Sequence, residues 1–228
     1  MIEIILVRHG RTEANEKEIY GCDYPLSFTG KTEAIRARKT YLPLEPDRVY
    51  TSTLKRAIGT AVILFSKPVP EYMRYPAFNE IYFGTAETKT SSGGTEGYEN
   101  QFEDDFVPFM EECEGDDPYE RAEEAIRHIR EIADDICMYP KEDPNRKVVI
   151  ITSNTLMMCI ALTLMRGRDW RRVMDIEPFE NLEGLRLIFT DSEAECDSRL
   201  VSMIRMSKGY SEAIWTASGR CPVLKKKG

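Results

Sequence analysis

The stretch Ile2-Glu3-Ile4-Ile5-Leu6-Val7-Arg8-His9-Gly10-Arg11-Thr12-Glu13-Ala14-Asn15 decides the reading of this chain. Residues 2–7 are an apolar, β-branched run that suits a buried strand. They are too short for a membrane span and lack the basic flank and small-residue cleavage site of a signal peptide. At Arg8 the pattern stops and a loop begins. A histidine at the end of a buried strand has a fixed ring, and Gly10 lets the backbone turn sharply beside it. Arg8 adds a permanent planar cation that grips phosphate oxygens bidentately. Taken alone, Arg-His-Gly reads as readily as a turn with a surface histidine.

Working outward, the spacing predicts a helix over 29–41 with Thr29 as N-cap, a strand over Asp47–Thr51 and a helix over Thr53–Phe65. Arg56 falls in the first turn of that helix, where free N–H groups favour an anion. Residues 68–82 read as extended or loop. Glu80 lies there in Phe78-Asn79-Glu80-Ile81-Tyr82-Phe83-Gly84, where aromatic surroundings would raise its pKa and keep it protonated. Taken alone, Arg56 is a solvated helix residue and Glu80 a surface carboxylate. Residues 84–97, rich in Gly, Ser and Thr, read as a flexible loop. Helices follow over 98–113 and 118–138, the second with an apolar stripe at Ala122, Ala125, Ile126, Ile129, Ile132, Ala133 and Ile136. Residues 147–152 (KVVIIT) form a fully buried strand, 155–166 a helix, and 186–190 and 200–206 late strands. Strands alternating with helices predict one α/β domain over 1–228. It is a three-layer sandwich with a mostly parallel central sheet of about six strands, helices on both faces and a helical excursion over about 84–140. Its pocket lies at the C-terminal ends of the strands.

Composition narrows the function. The net charge of -8 argues against a nucleic-acid binder, and no apolar run suits a membrane. Six cysteines without a C-x-x-C pair argue against a zinc cluster and for free thiols in the cytosol. Only His9 and His128 are histidines. His128 reads as a solvated position opposite the apolar stripe. Met157, Met158, Met165 and Cys159 read as core. Tyr72, Tyr75, Tyr82 and Phe83 read as packing around Glu80. Cys22 lies near the pocket, where arginines could lower its pKa.

Together, LVRHGRTEAN, PLSFTGKTEA (Pro25–Ala34), the strand–turn–helix at 47–61, FNEIYFG and KVVIIT resemble the histidine phosphatase (phosphoglycerate-mutase-like) superfamily. The resemblance implies that His9 attacks phosphorus and forms a phosphohistidine. Arg8, Arg56 and Asn15 bind the phosphate oxygens, and Glu80 protonates the leaving oxygen. Water then releases phosphate, with no metal or cofactor. The partner is a small phosphorylated substrate, and Gly21 lines the pocket through its backbone. The loop Asn15–Leu26 lacks the longer Trp-containing insert of the mutases, which favours the phosphatase branch over mutase-type phosphoryl transfer.

Two departures from the family pattern stand out. The family carries a second histidine in a motif near V-S-H-G-G. This chain has Ile151-Thr152-Ser153-Asn154-Thr155 there, which puts Ser153 at the histidine position and Asn154 at the following glycine, both at the pocket. A serine donates a neutral hydrogen bond and carries no charge. Three readings stay open: a slow or specialised phosphatase, a pseudoenzyme that binds a phosphorylated ligand, or a deliberate substitution. After the Phe83-Gly84 pair the family often has Trp and then Glu-Gly, where this chain has Thr85-Ala86-Glu87-Thr88.

Overall fold

In the computed structural model, which describes residues 1–16, 23–89, 105–137, 146–190, 199–207 and 210–216, the N-terminal apolar run is the central strand β1 (Ile2–Arg8). Its alternate residues serve two cores. Ile2, Ile4 and Leu6 join one apolar cluster, and Ile5 and Val7 join the other. The parallel strand β3 (Arg146–Thr152) pairs Ile4 with Val148 and Arg8 with Thr152. It divides the same way, with Val148 and Ile150 on one side and Val149 and Ile151 on the other. A strand covered on both faces has no polar side, which explains the unbroken apolar runs.

The sheet contains six strands in the order β2-β3-β1-β4-β5-β6. The remaining strands are β2 (Arg48–Thr51), β4 (Gly184–Thr190), β5 (Arg199–Ser207) and β6 (Tyr210–Thr216). β2, β3 and β1 run parallel. Polarity reverses at β4, and β4, β5 and β6 are antiparallel additions. The expected six-stranded α/β sheet is therefore present, with its parallel part on the half that carries Arg8. β6 was not foreseen. Ser207 pairs with Tyr210, so two residues separate β5 from β6, but the mixed sequence Tyr-Ser-Glu-Ala-Ile-Trp-Thr has no clean apolar alternation.

The helices are α1 (Glu13–Glu16), α2 (Phe28–Tyr41), α3 (Lys55–Phe65), α4 (Ala86–Lys89), α5 (Phe106–Glu112), α6 (Pro118–Cys137) and α7 (Asn154–Arg166). Tyr41 of α2 and Ala57, Ala61 and Leu64 of α3 cover one face of the sheet. Phe106 and Met110 of α5, the stripe of α6 and Leu156–Leu162 of α7 cover the other. All seven stripe residues of α6 are buried. This helix, counted in the sequence with the excursion, packs beside α7 in the layer on the sheet. Of the Gly/Ser/Thr-rich stretch 84–97, residues 84–89 form a turn and α4, and 90–97 lie outside the described residues, as does 98–104 of the expected helix 98–113.

Three helix starts differ from expectation for local reasons. Ser27, not Thr29, caps α2, because its Oγ accepts the Gly30 N–H at 3.0 Å. α3 starts at Lys55, because Asn79 Oδ1 accepts both the N–H and the hydroxyl of Thr53 at 2.9 Å. Ser52 Oγ accepts the Leu54 N–H and keeps that turn extended. α7 starts at Asn154, one residue early.

The first turn of α2 packs directly on the Arg-His-Gly loop. The Ser27 N–H donates to the Arg11 carbonyl at 3.0 Å, and Thr12 bridges to Leu26. A Cβ added at Gly30 would stand 1.9 Å from that carbonyl oxygen and 2.9 Å from the Arg11 nitrogen. Both contacts are backbone, so no rotamer relieves them. Gly30→Ala is expected to destabilise the fold by about 3 kcal/mol, a Tm fall of roughly 6–12 °C. An unchanged melting curve would contradict this packing.

Candidate active site

His9 continues the parallel ladder by one residue, its N–H donating to Thr152 at 2.9 Å. Its own carbonyl accepts from Asn181 Nδ2 at 2.9 Å. The ring is 4% exposed, with Nδ1 2.8 Å from the Gly10 carbonyl. A carbonyl only accepts, so Nδ1 carries the proton and Nε2 holds the lone pair. Burial, then Arg56 and Arg8, hold the imidazole well below its ordinary pKa, with the Gly10 bond opposing. In its neutral form His9 therefore carries its lone pair on Nε2, the atom able to act as a nucleophile.

The turn is tied to α3. The Gly10 N–H donates to Thr60 Oγ1 at 2.9 Å, and Thr60 donates to the Arg56 carbonyl at 2.7 Å. Arg56, the second residue of α3, is 9% exposed. Arg8 ends β1, and its Nη1 donates to the Phe179 carbonyl. Its backbone pairs with Glu183 at 2.9 Å and Leu182 at 3.1 Å.

Glu80 meets the N-terminus of α7. Its Oε1 accepts the N–H groups of Ile81 and Leu156, both at 3.1 Å, so it satisfies one of the helix's free donors. Burial raises its carboxyl above the ordinary value, against Arg56, the two N–H groups and Arg8. Both N–H groups need Oε1 as acceptor, so the proton of the neutral acid belongs on Oε2. Arg56 and Arg8 act on both His9 and Glu80. The structure therefore brings four of the expected residues to one place, at the C-terminal ends of the parallel strands.

The others divide. Asn15 and Thr12 cap each other across α1. Asn15 Oδ1 accepts the Thr12 N–H at 3.0 Å, and Thr12 Oγ1 accepts the Asn15 N–H at 3.1 Å. Ser153 is wholly buried at the end of β3, next to Thr152, and its Oγ has no hydrogen-bond partner among the described residues. It stands at the N-cap of α7 without capping it, because Glu80 engages the Leu156 N–H. Asn154, expected at the pocket, accepts the Phe179 N–H through Oδ1 at 2.8 Å. Gly21 and Cys22 lie outside the described residues.

His128 is not the solvated position expected of it. Its ring packs 5.5 Å from Tyr75 and 6.5 Å from Phe78, and Nδ1 lies 2.9 Å from Glu131. The face of α6 that carries it lies over residues 75–78 and not over open solvent. The aromatics around Glu80 separate: Phe83 is core, whereas Tyr72 and Tyr82 are exposed. Sequence reasoning missed Thr60, Asn181 and the loop 176–183. Thr60 lies one helical turn from Arg56, a usable signal. Asn181 and Phe179 meet the turn from about 170 residues away, with no local pattern to announce it.

The family model described as histidine phosphatase superfamily (branch 1) matches residues 4–199. The chain belongs to this family. Phosphoglycerate mutase 1 of Saccharomyces cerevisiae is 39% identical over 103 residues, 39% of this chain and 39% of that protein. Adenosylcobalamin/alpha-ribazole phosphatase of Salmonella typhimurium is 37% identical over 89 residues, 37% of this chain and 43% of that protein. The matched stretch thus spans about two fifths of these curated relatives. The likeness to solved structures covers far more of the chain. Mycobacterial hydrolase 1 superposes with a TM-score of 0.71 at 19% identity, over 87% of this chain and 96% of that one. Mycobacterial glucosyl-3-phosphoglycerate phosphatase, in complex with inorganic phosphate, gives 0.65 at 19% identity, over 87% and 94%. At that identity the likeness establishes the fold. Among the described residues no helix is long and apolar enough to cross a membrane.

Proposed function

We propose that the chain is a metal-independent phosphatase of a small phosphorylated metabolite, working through a phosphohistidine at His9. The observation that carries this reading is the buried His9 ring, whose Nδ1 stands 2.8 Å from the Gly10 carbonyl and on which Arg56 and Arg8 both act; this leaves Nε2 as the nucleophile. In the proposed cycle, Nε2 attacks phosphorus as the P–O bond to the leaving alcohol breaks. Arg8 and Arg56 hold the non-bridging oxygens, with Asn15 donating from its amide nitrogen. Oε2 of protonated Glu80 gives its proton to the leaving oxygen. The resulting carboxylate then takes a proton from the water that cleaves the N–P bond, so the enzyme returns to its starting state. Phosphoglycerate mutases are among the relatives of this chain, but the short loop Asn15–Leu26 supports hydrolysis over transfer.

Ser153 in place of the family's second histidine is part of this proposal. It predicts slow turnover, since a neutral donor replaces a charged one. It also supports a second reading, a protein that binds a phosphorylated ligand without turning it over. Hydrolysis of an aryl phosphate and a panel of phosphorylated metabolites in EDTA separates the two. Phosphate release is the expected result, and its absence across the panel would leave the binding reading.

The role of Glu80 has its own signature. Turnover needs His9 deprotonated and Glu80 protonated. The His9 pKa is lowered from 6.5, so the acid limb of the profile lies well below 6.5. The Glu80 pKa is raised from 4.5, so the alkaline limb lies above 4.5. Glu80→Gln should abolish that alkaline limb. It should cost about 10²–10⁴ in kcat with an alkyl phosphate and far less with p-nitrophenyl phosphate, whose leaving group needs no proton. Equal losses on both substrates would remove Glu80 from the acid role.

A further inference from the structure

The bonds that hold Arg8 lead to a residue outside the phosphate site proper. Residues 176–183 form a strap between α7 and β4, and the Phe179 carbonyl on it accepts from Arg8 Nη1. Phe179 is fixed in turn. Its ring is fully buried with the Arg205 guanidinium 4.6 Å over its centroid. Arg205 also donates to the carbonyls of Glu177 and Pro178 and pairs with Glu183 at 2.6 Å. The remaining fixture is Asn154, whose Oδ1 accepts the Phe179 N–H. Asn154 is the first residue of α7, the helix whose Leu156 N–H holds Glu80.

We propose that Asn154 is a positioning residue for Arg8, acting through Phe179, and that the first turn of α7 thereby aligns the phosphate-gripping guanidinium with the acid. The proposal rests on the phosphate-binding reading above. An Arg side chain has many rotamers, and a fixed carbonyl selects one of them. If Asn154 is shortened, the Phe179 N–H loses its acceptor in a largely buried setting. That backbone must then rotate toward another partner, and its carbonyl turns from Arg8. A displacement of about 1 Å at such a group is enough to lose most of its contribution.

A double-mutant cycle read by calorimetric titration with inorganic phosphate tests this. The proteins are the wild type, Asn154→Ala, Arg8→Lys and the double variant. Lys lacks the planar fork, so Arg8→Lys breaks the link at its other end. Asn154→Ala should weaken phosphate binding about tenfold or more, and should weaken it no further in the Arg8→Lys background. Asn154→Ser runs in parallel, because Ser is tolerated at a helix start and is too short to reach Phe179. It should show the same tenfold or greater loss, and it carries the test if the Ala variant fails to fold. Two outcomes overturn the proposal: wild-type phosphate affinity in the Asn154 variants, or a loss that carries over undiminished onto Arg8→Lys. The second would make Asn154 a direct ligand contact or a purely structural residue. Failure of the underlying reading is distinguishable, because the wild type itself would then not bind phosphate.

Discussion

Replacing His9 with Ala is expected to lower kcat for phosphomonoester hydrolysis by about 10⁴-fold or more. The loss is that large because neither the other histidine nor the thiol beside Glu80 is set up to take over. His128 is packed between Tyr75, Phe78 and Glu131 on α6, and Cys159 is buried with its thiol pKa pushed up by burial and Glu80. Binding should behave differently. Burial, Arg56 and Arg8 hold the imidazole well below its ordinary pKa, so the positive charge expected to bind phosphate is that of the two arginines. Affinity for inorganic phosphate should therefore stay within about tenfold of the wild type. Hydrolysis that persists in the variant would assign it to a contaminant or another nucleophile. Loss of both activity and phosphate affinity would indicate a collapsed site.

Ser153→His is expected to raise kcat by about 10²–10³-fold, the contribution of one preorganised donor to a developing anion. Ser153 is fully buried and its Oγ has no partner among the described residues, so the native residue contributes little to the described part of the fold through that atom. It follows the strand residue Thr152, to which the His9 N–H donates, so an imidazole introduced there stands beside the strand end that carries His9. The opposing effect is volume. Filling a packed position costs about 1–3 kcal/mol of stability, which lowers Tm without lowering the rate per folded molecule. A gain in kcat with a modest loss in Tm would mark an enzyme slowed by this one position. No gain, with phosphate affinity intact, would favour the ligand-binding reading.

The fold was legible where burial is two-sided or strictly periodic. β1 and β3 announced themselves as unbroken β-branched runs, and the α6 stripe is buried at every expected residue. Arg8 and His9 stand out in the sequence at the end of a buried strand and Arg56 at a helix start, whereas Glu80, on a loop, stands out only by its aromatic neighbours; the roles given to all four rest on the proposal above. What stayed hidden depends on contacts distant in sequence. The strap 176–183 has no periodicity, yet it holds Arg8, the His9 carbonyl and Asn154. The family motif alone places Asn154 at the pocket, and only the fold reveals its bond to Phe179. The start of α3 was misjudged because Asn79, on a separate segment, engages Thr53. His128 was misjudged because a polar helix face gained an aromatic partner from residues 75–78.

The most direct test of the central claim is to trap the intermediate. The protein is mixed with p-nitrophenyl phosphate, quenched in base within the first turnover, and digested for peptide mass analysis. A phosphohistidine is stable in base and labile in acid. The account predicts a base-stable, acid-labile phosphoryl group on the peptide that carries His9, absent from His9→Ala. Turnover with no such adduct at any quench time, or an adduct on another residue, would contradict it.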